Sequence, residues 1–201
     1  MLSDNLKVVC ELDLDSGKAY QASYINNELT QEYFSDGETV SELNHKRKYY
    51  DTDYCEAFAR KDSEAIPLSK RITISSDGLP SYNYRRNVTN CTLSSYTLFP
   101  QELAFSYLAD FTRWDIVEEG TFLGRSCVVI EGNNSPYITD KHGTSTFRLT
   151  VDKETGIVLM LIGEKGGKQM KMIEVTALEF DISSVYQEMP TDTDLSGYTI
   201  K

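Results

Sequence analysis

The sequence predicts a mainly β (α+β) chain, with antiparallel strands curled around a helix. Three observations carry this expectation. Turn signals recur about every ten residues along the first part of the chain. Residues 157–162 (Ile157-Val158-Leu159-Met160-Leu161-Ile162) are apolar at every position. A segment at residues 101–111 carries apolar side chains at approximate helical spacing. A strand wetted on one side would alternate, so something apolar must cover both faces of residues 157–162. A sheet curled round the helix at 101–111 does this.

In order along the chain, residues 8–14 read as a first strand, closed by the turn Asp15-Ser16-Gly17-Lys18. Residues 19–25 follow, then a turn at Asn26-Asn27-Glu28, then 29–35. Asp36-Gly37 is a two-residue hairpin signal, and 38–44 resume the strand. His45-Lys46-Arg47-Lys48 reads as a solvated turn before a strand that begins at Tyr49-Tyr50. Residues 54–65 fit a short helix capped by Asp51 or Asp53. Ile72-Thr73-Ile74 is strand-like, Asp77-Gly78-Leu79-Pro80 is a turn, and 85–95 are ambiguous.

Phe99-Pro100-Gln101-Glu102 opens the clearest helix, with Pro near its first turn and Glu102 at the positive end of the dipole. Leu103, Phe105, Leu108 and Phe111 mark its apolar side. Strands follow at 114–118 and 122–131, the second bulged at Gly124. Residues 132–143 read as a polar loop, and 146–152 alternate cleanly. Beyond the turn at 152–156 come the doubly apolar strand, the glycine turn at 163–167, and a long strand over 170–182 bulged near Glu174. A polar tail ends in a short edge strand at 198–201. No internal repeat is present, so residues 1–201 read as one domain.

Composition narrows the function. The formal net charge is −11, which repels phosphate backbones and excludes nucleic acid as a partner. No apolar run reaches transmembrane length, and the sequence shows no secretory h-region. The strands begin almost at once after Met1, so the expectation is a chain whose N-terminal leader or membrane anchor has been removed. Cys10, Cys55, Cys91 and Cys127 are widely spaced, against a compact zinc motif. Cys55 with Cys91 is the first candidate disulfide, against the alternative of buried thiols, above all for Cys127 in its apolar run.

No catalytic residue, metal ligand or cofactor motif stands out. The two histidines, His45 and His142, sit in no recognisable nucleophile context, and Gly-x-Ser-x-Gly is absent. The acidic turns at Asp13, Asp15 and Gly17, and at Asp192, Asp194 and Gly197, lack the distal glutamate of a calcium loop.

One block carries a family resemblance. It runs from Gly124-Arg125 through an apolar strand, Glu131-Gly132, a loop and an alternating strand. It then reaches Val151-Asp152-Lys153-Glu154-Thr155-Gly156-Ile157-Val158-Leu159, a glycine turn and Met172-Ile173-Glu174-Val175. Together with Phe34-Ser35-Asp36-Gly37 and Lys48-Tyr49-Tyr50, this resembles the superfamily of LolA/LolB-like lipoprotein carriers and the sensor domains of RseB/MucB-type sigma-factor regulators. The resemblance spans roughly two-thirds of the chain, and its D-x-x-T-G element is in part simply a good β-turn. It implies a LolA-like curved, half-open antiparallel barrel, with helices plugging the mouth and an apolar concave face. It also implies an extracytoplasmic place, secreted or anchored on the outer face of the cytoplasmic membrane. The acidic surface, and the lack of a counterpart for residues 51–95 and 132–143, favour an anchored sensor or scaffold over a lipoprotein shuttle.

The expectation is therefore a non-enzymatic cell-envelope binding domain. Its ligand is a lipid, a lipoprotein acyl chain or another amphiphile, lined by Leu103, Phe105, Leu108, Phe111, Leu159, Leu161, Met170 and Met172. Each buried methylene contributes about 0.8 kcal/mol. Ordinary core packing is the competing reading of such side chains. The alternative function is a protein-interaction or structural module with an envelope protein as partner, such as the extracytoplasmic part of a sigma-factor regulator. The third is a cell-wall-directed hydrolase.

Overall fold

The computed structural model describes residues 5–54, 68–78, 80–83, 93–181, 189 and 193–201. The helix expected over 54–65 and the Cys55–Cys91 pairing lie outside the described residues, except Tyr54, which ends a strand. The chain divides into two compact units, Met1–Ser95 with Ser183–Lys201, and Tyr96–Ile182. Both are built on antiparallel sheets, with few helices, so the mainly β class holds. Neither large sheet closes on itself.

In the first unit, β1 (Leu6–Leu12), β2 (Ala19–Ile25), β3 (Glu28–Ser35), β4 (Thr39–Asn44) and β5 (Tyr49–Tyr54) pair as a sequential antiparallel meander. The short C-terminal strand β13 (Thr199–Ile200) adds in parallel to β5. Asn26 and Asn27 both have positive φ (52° and 67°), the two-residue turn whose twist matches the flanking strands. The next hairpin is held by the Asp36 carboxylate, which accepts from the Glu38 and Thr39 amides. Tyr20, Ala22, Phe34 and Leu43 form the core, with Met189, Leu195 and Tyr198 against it. A one-turn helix α1 (Leu68–Arg71) leads into a small hairpin of β6 (Ile72–Ile74) and β7 (Pro80–Tyr82).

The second unit begins with two short helices, α2 (Ser95–Leu98) and α3 (Gln101–Tyr107). Five strands follow: β8 (Trp114–Phe122), β9 (Arg125–Asn133), β10 (Thr146–Asp152), β11 (Val158–Lys165) and β12 (Lys168–Glu174), ordered β12-β11-β10-β9-β8. A fourth helix, α4 (Pro136–His142), lies between β9 and β10.

Four sequence expectations are corrected in this unit. Residues 132–143 are not a plain loop but contain α4. Ser135 caps it by accepting from the Ile138 amide, Pro136 takes the first helical position, and Gly143 ends it with φ 69°. Leu123-Gly124 is not a bulge within one strand but a two-residue turn with φ 51° and 76°, splitting the expected strand at Phe122 and Arg125. The helix α3 stops at Tyr107, not at 111. Asp110 accepts from the Thr112 amide and hydroxyl and from Arg113 Nε, a local turn that competes with further helix. The last long strand ends at Glu174, and its irregularity lies opposite Gly163/Glu164 instead of near Glu174.

The doubly apolar reading of residues 157–162 holds best at its start. Ile157, Val158, Leu159 and Leu161 are buried, whereas Met160 and Ile162 are half-buried on the other face from Leu161. The Thr150/Val151 irregularity explains why Val158 and Leu159, though adjacent, both become buried: it leaves Leu159 without a partner on β10. Leu159 then packs with Ile157 and Cys127, and Cys127 is a buried thiol.

Candidate functional site

The site is built on one face of the five-stranded sheet. Ile130, Leu149, Leu161 and Ile173 are register neighbours on successive strands and so share that face. Leu103 and Tyr107 of α3 and Ile138 of α4 complete their cluster, with Leu108 and Trp114 partly buried against it. Leu103, Leu149 and Leu161 are fully buried, so side chains fill the space beneath α3.

The helix covering this face is weakly held by its own sequence. With seven residues it is far below the length at which an isolated helix persists in water. Pro100 supplies no side-chain cap. Its stability therefore comes from Leu103, Phe105 and Tyr107, which are buried.

Towards β8 the same face is left uncovered. Ile116 pairs with Ile130 and is 57% exposed. Trp114 donates its indole N–H to the Leu108 carbonyl at 3.1 Å. Phe111 lies 5.6 Å from the Trp114 ring and is 70% exposed. Phe111, Trp114 and Ile116 thus make an apolar ledge continuous with the covered face.

The eight side chains expected to line a cavity do not come together. Leu103, Leu108 and Leu161 share one cluster. Phe105 is buried, Leu159 belongs to a separate cluster, and Phe111 stands on the ledge. Met172 pairs with Ile162 and so points to the opposite face, exposed, while Met170 is exposed at the irregularity of β12. Sequence reasoning missed Trp114 and Ile116 as part of this surface. The signal was the early stop of α3, readable from Asp110-x-Thr112, which leaves these two positions without a helix above them.

Of the groups suited to catalysis, His142 Nε2 lies 3.3 Å from Ser106 Oγ. Among the described residues no acid orients the other ring nitrogen, and the imidazole stacks on Tyr107. His45 is instead held between Glu32 Oε2 and the Tyr198 hydroxyl, each at 2.7 Å, in the first unit. Among the described residues no cluster of His, Cys, Asp or Glu is arranged to hold a metal. No helix among them is long and apolar enough to cross a membrane.

No family model matches the chain, and no curated protein does. A solved structure described as an outer membrane lipoprotein-sorting protein domain, from Vibrio parahaemolyticus, aligns with 84% of this chain at 13% identity and a TM-score of 0.28. The chain covers 60% of that structure's length.

Proposed function

We propose that the chain is a non-enzymatic binding domain of the cell envelope, with a LolA-like fold, that takes the acyl chain of a lipid or lipoprotein. The chain acts on the outer side of the cytoplasmic membrane, secreted or anchored there. The observation that carries this reading is the uncapped seven-residue helix α3 resting on an apolar sheet face that continues into the exposed ledge of Phe111, Trp114 and Ile116. An acyl chain seats first on the ledge, then enters beneath α3, shifting the helix so that Leu103 gives way against Leu149 and Leu161. Because the space is filled, binding and helix movement are one event, and the ligand's apolar contacts must replace those of the helix. A ligand of about twelve methylenes supplies roughly 10 kcal/mol of apolar transfer, enough to offset loss of the helix's contacts.

Native mass spectrometry of the protein purified without detergent from a bacterial envelope tests this. The expected result is a bound species of lipid mass, lost when Leu161→Glu places a charge on the face. Wild-type protein free of lipid, and unable to take up added dodecyl chains, contradicts the reading.

A second reading rests on β8. This nine-residue strand is a sheet edge with Ile116 and Val117 exposed, a template for strand addition by an envelope protein. Its irregularity between Ile116 and Glu118, and the exposed Glu118 and Glu119, work against such pairing.

A further inference from the structure

A polar cluster lies beside the apolar face, among α2, α3, α4 and β12. Lys171 pairs with Gly163 on β11, and Ile173, two residues on, belongs to the helix-covered cluster, so Lys171 rises on that side of the sheet. It is half-buried, with Nζ 4.8 Å from the centroid of the Tyr96 ring. Among the described residues no carboxylate lies within ion-pair distance of it. Glu102, whose field reaches it, is engaged by Lys141 Nζ at 3.4 Å. Burial holds the ammonium below the usual lysine range, and Glu102 opposes this.

Two further groups lie over the same face of the sheet. The His142 ring stacks on Tyr107 at 5.4 Å. Burial first, then the charges of Lys171 and Lys141, depress its protonation, against a smaller opposing pull from Glu102, so the imidazole is neutral at pH 7. Tyr107 is 3% exposed, and its buried hydroxyl makes no hydrogen bond; the Thr144 hydroxyl lies near enough to act on it but is engaged by Asn134 Nδ2 at 2.9 Å. A cation without a counter-ion and an orphaned phenol are each costly in a folded protein. One anion with several oxygens relieves both. The ammonium has three donors, the phenol one, and a neutral imidazole one.

We propose that Lys171, Tyr107 and His142 bind a phosphate group. This rests on the acyl-chain reading when the phosphate is a lipid head group, and stands alone when it is free phosphate. The group sits where an amphiphile lying under α3 would place its polar end, and it brings negative charge to a local cation in a chain of net charge −11.

Three probes separate the sources: dodecyl phosphate, the uncharged octaethylene glycol monododecyl ether, and inorganic phosphate. Trp114, the single tryptophan, reports the alkyl chain by its emission, and the side-chain NMR signals of His142 and Lys171 report the anion. Wild-type protein is expected to bind dodecyl phosphate about tenfold more tightly than the uncharged amphiphile. Lys171→Met abolishes that preference while keeping affinity for the uncharged chain, and Lys168→Met, an exposed lysine on the same strand, leaves it intact. Equal binding of the two amphiphiles by wild-type protein, or a preference that survives in Lys171→Met, overturns the phosphate site and leaves the acyl reading standing. Failure of both amphiphiles, with a Lys171-dependent response to inorganic phosphate, sinks the acyl reading and supports a site for free phosphate. No response to any probe sinks both. Should Lys171→Met not fold, the wild-type Lys171 and His142 signals decide: they must move with dodecyl phosphate and not with the uncharged amphiphile.

Discussion

Replacing Asp152 with Ala is expected to cost about 3 kcal/mol, read as a lowered urea midpoint. Asp152 is 1% exposed. Its Oδ2 accepts from Arg125 Nε at 2.5 Å, and its Oδ1 accepts from the Glu154 and Thr155 amides and the Thr155 hydroxyl. One carboxylate therefore pins the β10–β11 turn to the start of β9. The loss stays at the lower end of the range for a broken buried pair because Arg125 is partly exposed and keeps Glu154 at 2.9 Å.

The same residue sets an acid limit. Arg125 holds the Asp152 carboxyl well below the usual carboxylate range; burial opposes this, and the Thr155 donors add to it. A depressed folded-state value means the contribution is complete above the unfolded value of 3.8 and drains as pH falls below it. Below pH 4, wild-type stability therefore falls with a slope steeper than that of Asp152→Asn by up to one proton, about 1.4 kcal/mol per pH unit. Parallel slopes for the two proteins between pH 4 and 2 would contradict this assignment.

Gly132→Ala is the second large effect expected. A Cβ there meets Phe147 Cζ at 2.6 Å and the Arg113 carbonyl oxygen at 2.7 Å. Phe147 is buried and its ring packs tilted against Tyr107 at 5.0 Å, so moving it disturbs α3 as well, while the carbonyl is backbone and yields little. A loss of about 2–3 kcal/mol follows. Gly120→Ala, on the neighbouring strand β8, is the contrast. Its nearest neighbour is Glu118 Oε1 at 4.0 Å, and the change stays within about 0.5 kcal/mol. Chemical denaturation of the two variants checks both, and equal stabilities would contradict the packing described.

The strands were legible because their signals are local. Asn26-Asn27 and Asp36-Gly37 mark turns by backbone chemistry alone, and Phe147, Leu149 and Val151 alternate with Thr146, Arg148 and Thr150 along one strand. The helices were less so. α4 carries its own punctuation in Ser135-Pro136 and Gly143, but with seven residues it is too short for apolar periodicity to stand out. The end of α3 was misplaced because Leu108 and Phe111 continue the spacing, while the Asp110 turn that stops the helix is a side-chain competition that periodicity does not register. That error hid the ledge. The eight expected lining residues scattered for a related reason: Met172 and Leu161 are both apolar, but the β11–β12 register sets them on opposite faces, and a register is fixed by pairing, not by composition. The cluster of Lys171, Tyr107 and His142 was out of reach, because three distant segments supply it.

The central claim is that an acyl chain lodges beneath α3. Hydrogen exchange by mass spectrometry, with and without octaethylene glycol monododecyl ether below its micellar concentration, tests it most directly. The account predicts altered exchange across residues 101–116, with the central strand β10 unchanged. Unaltered exchange over 101–116 in protein saturated with the amphiphile would contradict it.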